Sequence, residues 1–299
     1  MFGVGAILEG AFRLVREQLT ALAAWAGLYL VANGVMVAII LRPAYAAMAN
    51  PGIGPNPAAA FAMNGTIFLY DVLLLILILV LYAAAFRAVL RPEQRAYFYL
   101  RLGMDELRLL GLGLLIGFVA IVAFMIGLFV ISLLTALLTV AISGVVGGLI
   151  AGLLGVVLFC GLVYAQVRFS LAGPLSIYRG HFVLGESWQL TQGRFWPIFL
   201  AYLVLFLMIF VVQLIISAFT VWPMISAILR QAARNPQDPA ATQAAMAQMM
   251  GQFTGMGPMM IALMVVGAVI GTLWIALTGG AAAVAAGLLV GGREAEAFE

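Results

Sequence analysis

Charge is what this sequence has least of. Only 8% of its 299 residues are charged, whereas a soluble domain carries roughly 25%, and that shortage excludes a fold whose whole surface meets water. Lysine is absent, so all 14 basic residues are arginine. The single cysteine, Cys160, lies in an apolar Gly-rich run and permits neither a disulfide framework nor a cysteine-based metal site. The one histidine, His181, has Glu186 nearby but no nucleophile and no second metal ligand at a recognised spacing, which points to a surface contact rather than catalysis. No constellation for enzymatic chemistry and no cofactor site is expected.

What fills the chain instead is apolar: 66% of residues, with a mean hydropathy of +1.18. A helix needs about 20 mainly apolar residues to cross a hydrocarbon layer of about 30 Å. Six segments meet that requirement, at about 19–41, 66–86, 109–136, 142–167, 196–220 and 258–290. No stretch remains for a separate soluble core, so the sequence predicts one membrane domain over 1–299. The expected fold class is an all-α integral membrane protein, a six-transmembrane-helix bundle.

Orientation follows from counting arginines on each side of this layout. Arg13, Arg16, Arg87, Arg91, Arg95, Arg101, Arg108, Arg168, Arg179, Arg194 and Arg293 fall on one side; Arg42, Arg230 and Arg234 fall on the other. Eleven against three predicts that both termini are cytoplasmic, and the inner membrane is the expected location. Most acidic residues share the Arg-rich side, so the net charge of +3 describes topology and not a nucleic-acid surface.

Polar-apolar segments with helical character precede the odd-numbered spans, at about 3–18, 92–108 and 175–195. An amphipathic helix in the headgroup layer buries its apolar face and leaves its arginines among phosphates. These segments are therefore predicted as cytoplasmic elbow helices, and their recurrence suggests three repeated units. In the middle one, Arg101 with Asp105 and Asp105 with Arg108 have the spacing that sets opposite charges side by side on a helix. Tyr97, Phe98 and Tyr99 look like interfacial anchors.

The third elbow is the most distinctive. It runs from Arg168 through Pro174 and Arg179 to Ser187, Trp188, Thr191, Gly193, Arg194, Phe195 and Trp196. Pro174 disfavours continuation of the fourth span, and Gly193 can stop the elbow helix before the fifth. The pattern S-W-x-x-T-x-G-x-F-W at 187–196, with the preceding Arg/Pro segment, the N-terminal elbow and the six-span layout, resembles the glycerophosphoryl diester phosphodiesterase membrane-domain family. The resemblance implies a fold and a membrane location. It does not imply the activity, because members that have it carry a separate soluble barrel with metal-binding carboxylates and histidines. Arg101, Asp105, Arg108, Arg168, Arg179, Ser187, Trp188, Thr191, Arg194 and Trp196 are the candidate lipid-headgroup or partner contacts.

On the opposite side, residues 43–65 read as irregular, whereas Asp238-Pro239 starts a helix that puts Met246, Met249, Met250 and Phe253 on one face. A periplasmic surface helix is expected there. Its thioethers suit Cu(I), but no histidine or cysteine assists them, so an apolar face against lipid is preferred. Asp71 is the only acidic residue within a span, and Arg42 ends the preceding one; the two are predicted to form an intramembrane ion pair. Asn33, Gln166 and Gln213 are the other strongly polar groups in the spans, too sparse for a pump. Small residues four apart let helices touch in lipid, which makes Gly113, Gly117, Gly144, Gly148, Gly152, Gly267 and Gly271 candidate packing positions.

These features favour a non-enzymatic membrane protein with an accessory, assembly or lipid-organising role. Its partners would be membrane lipids and another membrane subunit or a second copy of itself, with no nucleic acid. A transporter or lipid-translocating protein is the alternative, resting on the suggested repeat and on the Arg-rich elbows.

Overall fold

The computed structural model describes residues 2–41, 57–93, 96–101, 103–234 and 258–296. Helix α1 (Val4–Glu17) is the amphipathic N-terminal elbow, followed by α2 (Leu19–Met36), which ends in a π-helical turn at Val37–Leu41. Five long helices and two short ones follow: α3 (Pro57–Leu90), α4 (Met104–Ala141), α5 (Gly144–Phe169), α6 (Ala172–Arg179), α7 (Leu184–Leu190), α8 (Phe195–Arg234) and α9 (Pro258–Glu296), where α6 and α7 are the short pair and α5 is the shortest of the spans among them. Six helices are long and apolar enough to cross a membrane, and no strand occurs among the described residues. The protein is an all-α, multi-pass membrane bundle.

Buried positions are not spread along the spans. With the exception of Gly147, every buried residue among those described lies within 7–25, 81–112, 167–205 or 268–290. These stretches meet at one end of the bundle, the end that carries Arg87, Arg91, Arg101, Arg108, Arg168, Arg179 and Arg194. Toward the opposite end the helices present apolar side chains outward. The α4–α5 hairpin shows this most: Leu114, Phe118, Ile121, Phe129, Leu149 and Leu153 are all well exposed. Lipid is the medium in which that surface is at rest.

At the packed end α9 is central, in contact with α1, α2, α3 and α8. Its Gly279–Gly280 step explains how. A Cβ at Gly279 would lie 3.1 Å from the Ala85 methyl and 3.2 Å from the Tyr82 ring, and one at Gly280 would lie 3.0 Å from Leu14. Two neighbouring helices therefore approach at adjacent positions, which only residues without side chains permit. Gly10 of α1 makes the same kind of approach, with a Cβ there falling 2.6 Å from Val284.

The glycines expected from four-residue spacing behave differently. Gly117, Gly148, Gly152 and Gly267 face open space, Gly113 has only Leu79 at 3.7 Å, Gly271 only the Tyr29 ring at 3.8 Å, and Gly144 only Thr139 of its own hairpin. Spacing identifies a small-residue face on a helix, but the α4–α5 hairpin stands away from the other spans along most of its length. The close approaches fall on Gly10, Gly173, Gly279 and Gly280 at the packed end, and within the hairpin on Gly127 and Gly147.

The elbows also differ from one another. The third is two short helices and not one. Gly180 at φ +76° ends α6, Pro174 sits in its first turn, and Gly193 at φ +74° follows α7. Both glycines occupy the left-handed region that side chains disfavour. The middle elbow is not a helix over 92–108. Tyr97, Phe98 and Tyr99 form a left-handed turn with φ of 53°, 57° and 64°, and α4 begins at Met104. The three-fold repeat suggested by the sequence is therefore not seen in the local structure. The expected surface helix around 239–253 and its methionines lie outside the described residues.

Candidate headgroup site at the Arg-rich end

The left-handed turn at Tyr97–Tyr99 is the point from which the site is built. For side-chain-bearing residues this conformation costs roughly 1–2 kcal/mol each, so three in succession require outside support. Each carbonyl has a donor. The backbone N–H of Leu100 donates to Tyr97 O (3.1 Å), the indole Nε1 of Trp25 donates to Phe98 O (2.8 Å), and Arg87 Nη1 donates to Tyr99 O (3.0 Å). Trp25 and Tyr99 are both fully enclosed. The turn exposes Tyr97 and half-exposes Phe98, consistent with aromatic anchors at a membrane boundary.

Arg87 extends from the last turn of α3 and is only 2% exposed. A guanidinium so enclosed needs a counter-charge, and Glu106, 7% exposed in the first turn of α4, provides it through a direct Arg87 Nη2–Glu106 Oε1 ion pair. The other oxygen of Glu106 accepts the Gly103 N–H at 2.9 Å, which satisfies one of the orphan donors at the start of α4. Asp105 lies beside it and is shared by three cations: Arg108 at 3.1 Å, and Arg87 and Arg91 each at 3.7 Å. Arg91 also donates to the Ile177 carbonyl at 2.6 Å, tying α3 to α6.

The expected Arg101–Asp105 pair is not among these contacts. The i,i+4 geometry presupposes a helix through both residues, and Arg101 lies before α4 begins. The Asp105–Arg108 pair is present as predicted. Arg101 instead lines, together with Arg87, Arg91, Gly103, Met104, Asp105 and Glu106, a pocket of about 280 Å³.

The distinctive third-elbow residues form a second cluster, turned inward. Arg168, near the end of α5, is 6% exposed and lies against two aromatic faces, its Cζ 4.4 Å from the Trp188 ring centroid and 5.4 Å from that of Tyr164. Its Nη1 donates to Thr191 Oγ1 at 3.3 Å. Its backbone carbonyl, among the last of α5 and without a partner inside that helix, accepts Ser187 Oγ at 2.8 Å. Ser187 and Thr191 are four apart and so share one face of the elbow helix, which is why both reach Arg168. The S-W-x-x-T spacing thus latches the elbow onto the end of α5, and neither hydroxyl faces outward. Nε of Arg168 is buried without a hydrogen-bond partner, and stacking on Trp188 and Tyr164 is the stabilisation it has.

The remaining candidates are peripheral. Arg179 pairs with Glu186 at 3.0 Å, Arg194 lies 5.5 Å from the Phe2 ring centroid, and Trp196 is exposed beside Phe195. Asp71 is exposed on the half of α3 away from the arginines; Arg42 lies outside the described residues, so the predicted Arg42–Asp71 pair does too. Asn33 accepts a hydrogen bond from Tyr70 Oη at 2.8 Å. Tyr70 is about 25 Å along α3 from Arg87, so this polar spot and the arginine pocket occupy separate regions. Gln166 and Gln213 are exposed on α5 and α8.

Sequence reasoning missed Arg87 and Glu106, the most deeply buried ion pair described. Each sits just outside a hydrophobic run, where charge looks ordinary. No family model matches the chain, and comparison with curated proteins and with solved structures finds no match.

Proposed function

We propose that this chain is a non-enzymatic protein of the bacterial inner membrane, oriented with its Arg-rich end and both termini in the cytoplasm, that acts as a lipid-organising or accessory assembly component. One observation carries the reading. Among the described residues, the bundle is tightly packed only at the Arg-rich end, while α4, α5 and the far portions of the other spans keep large apolar side chains uncovered. Such a shape leaves an extended surface for acyl chains, or for another membrane chain, beneath a rigid charged platform at headgroup depth. The resemblance of residues 187–196 to the glycerophosphoryl diester phosphodiesterase membrane-domain family belongs to the same reading. Transport is the competing one; it calls for polar groups converging on a path, and the separation of Asn33 and Asp71 from the arginine pocket along α3 counts against it.

Extraction of the full chain from its native membrane directly into polymer-bounded nanodiscs tests the proposal. The surrounding lipid should be enriched over bulk membrane in particular species, or a second protein should co-purify in fixed ratio. A monomer in lipid of bulk composition would sink it. Fusion of a cytoplasm-specific reporter to either terminus tests the orientation, and activity of the opposite, periplasm-specific reporter would reverse it.

A further inference from the structure

We infer that the pocket between the C-terminal end of α3 and the start of α4 binds the phosphate of an anionic lipid headgroup, through Arg91 and Arg101. This deepens the lipid-organising reading and rests on it. Four guanidinium groups, on Arg87, Arg91, Arg101 and Arg108, surround two carboxylates, those of Asp105 and Glu106, so the cluster keeps two positive charges in excess. Glu106 is spent on Arg87 and on the Gly103 N–H, and Asp105 is divided among three arginines. Arg101 is exposed at the pocket and has no acidic partner among the described residues. Arg91 approaches Asp105 only at 3.7 Å with one nitrogen while the other holds the Ile177 carbonyl. Both arginines therefore keep donors for a phosphate, which guanidinium groups bind in bidentate fashion.

The apolar surroundings favour a lipid over free phosphate. Met104, well exposed, forms one wall, and Leu107 projects from the next turn of α4. The Tyr97–Phe98 turn places exposed aromatic rings at the same end of the bundle. Guanidinium donors above exposed apolar side chains match the boundary at which phosphate gives way to acyl chain. A water-borne ion would gain nothing from that boundary.

The test uses the purified full chain in mild detergent, with phosphatidylglycerol, phosphatidylcholine and inorganic phosphate as separate probes, read by native mass spectrometry and by thermal stability. Phosphatidylglycerol should be retained and should raise the melting temperature, with phosphatidylcholine and inorganic phosphate giving neither. Arg91→Gln with Arg101→Gln should weaken phosphatidylglycerol binding roughly ten- to thirtyfold, given two arginines near an anionic group. Arg13→Gln with Arg16→Gln, which removes the same two charges from the exposed face of α1, should not. Arg101→Gln alone removes no hydrogen bond or ion pair among the described residues and should reduce binding with folding intact, which covers the case of a misfolded double variant. Equal phosphatidylglycerol binding by wild type and both pocket variants overturns the site while leaving a general lipid role standing. Stabilisation by inorganic phosphate equal to that by lipid overturns the lipid assignment, and retention of no lipid by the wild type overturns the site and the broader reading together.

Discussion

Neutralising either member of the buried Arg87–Glu106 pair should destabilise the bundle more than any other single charge change at its Arg-rich end. Arg87 is almost fully enclosed, and its partners are Glu106, the Tyr99 carbonyl and, at 3.7 Å, a shared Asp105. Removing one member of a buried pair costs about 3–5 kcal/mol, because the remaining charge stays out of water. Glu106→Gln keeps the shape and one acceptor oxygen, but that oxygen cannot serve both Arg87 and the Gly103 N–H as the carboxylate does. With Asp105 retaining part of the compensation, a loss of roughly 2–4 kcal/mol follows. Arg87→Met should cost a similar amount, leaving Glu106 uncompensated. Glu106→Leu combined with Arg87→Met removes both charges, after which the chief residual penalty is the unpaired Tyr99 carbonyl, roughly 1–3 kcal/mol; Gly103 is an exposed residue, so its N–H can turn to solvent. The double variant should therefore lose less than the two singles together, with a coupling of about 2 kcal/mol or more. Reversible unfolding in mixed micelles, followed by far-ultraviolet circular dichroism, measures all three. Additive losses, or single losses under about 1 kcal/mol, would show that the pair is solvated and the reasoning wrong.

Four further outcomes are expected. Trp25→Phe keeps the ring in its cluster but removes the donor to Phe98 O, and should cost roughly 1–3 kcal/mol in the same unfolding assay. Tyr97→Gly relieves one left-handed residue whose side chain is 82% exposed, at the price of extra chain entropy when unfolded, and should raise stability by about 0.5–1 kcal/mol; a loss would mean that the turn is not strained there. Gly10→Ala drives a methyl into Val284 and should cost about 1–3 kcal/mol, with Val284→Ala restoring most of it in the double variant. Gly152→Ala meets no neighbour within 4 Å and should raise helix stability by up to about 1 kcal/mol; a loss confined to an oligomer, seen by size-exclusion chromatography with light scattering, would reveal a partner helix on that face.

How far the sequence led can be judged from particular residues. Spans were readable because hydropathy depends only on how many apolar residues follow one another, and α2, α5, α8 and α9 each begin within two residues of the limits expected. Helix α1 was readable from its amphipathic period, and the breaks at Pro174 and Gly193 from local backbone chemistry. Packing glycines were not: Gly148 and Gly152 have the right spacing yet face nothing, whereas Gly10 and Gly279 lie against neighbours that no local pattern names. The motif at 187–196 stood out in sequence as a surface feature, but Ser187 and Thr191 are committed to the carbonyl of Arg168, a partner about twenty residues earlier.

Membership of the membrane was thus decided by composition alone, since a chain with so little charge and such long apolar runs has no other stable solvent. The arginine pocket was decided only in three dimensions. Arg87, Glu106, Trp25 and Tyr99 come from four separate stretches of chain, and an ion pair or a supported left-handed turn exists only where packing brings its members together and removes water from between them.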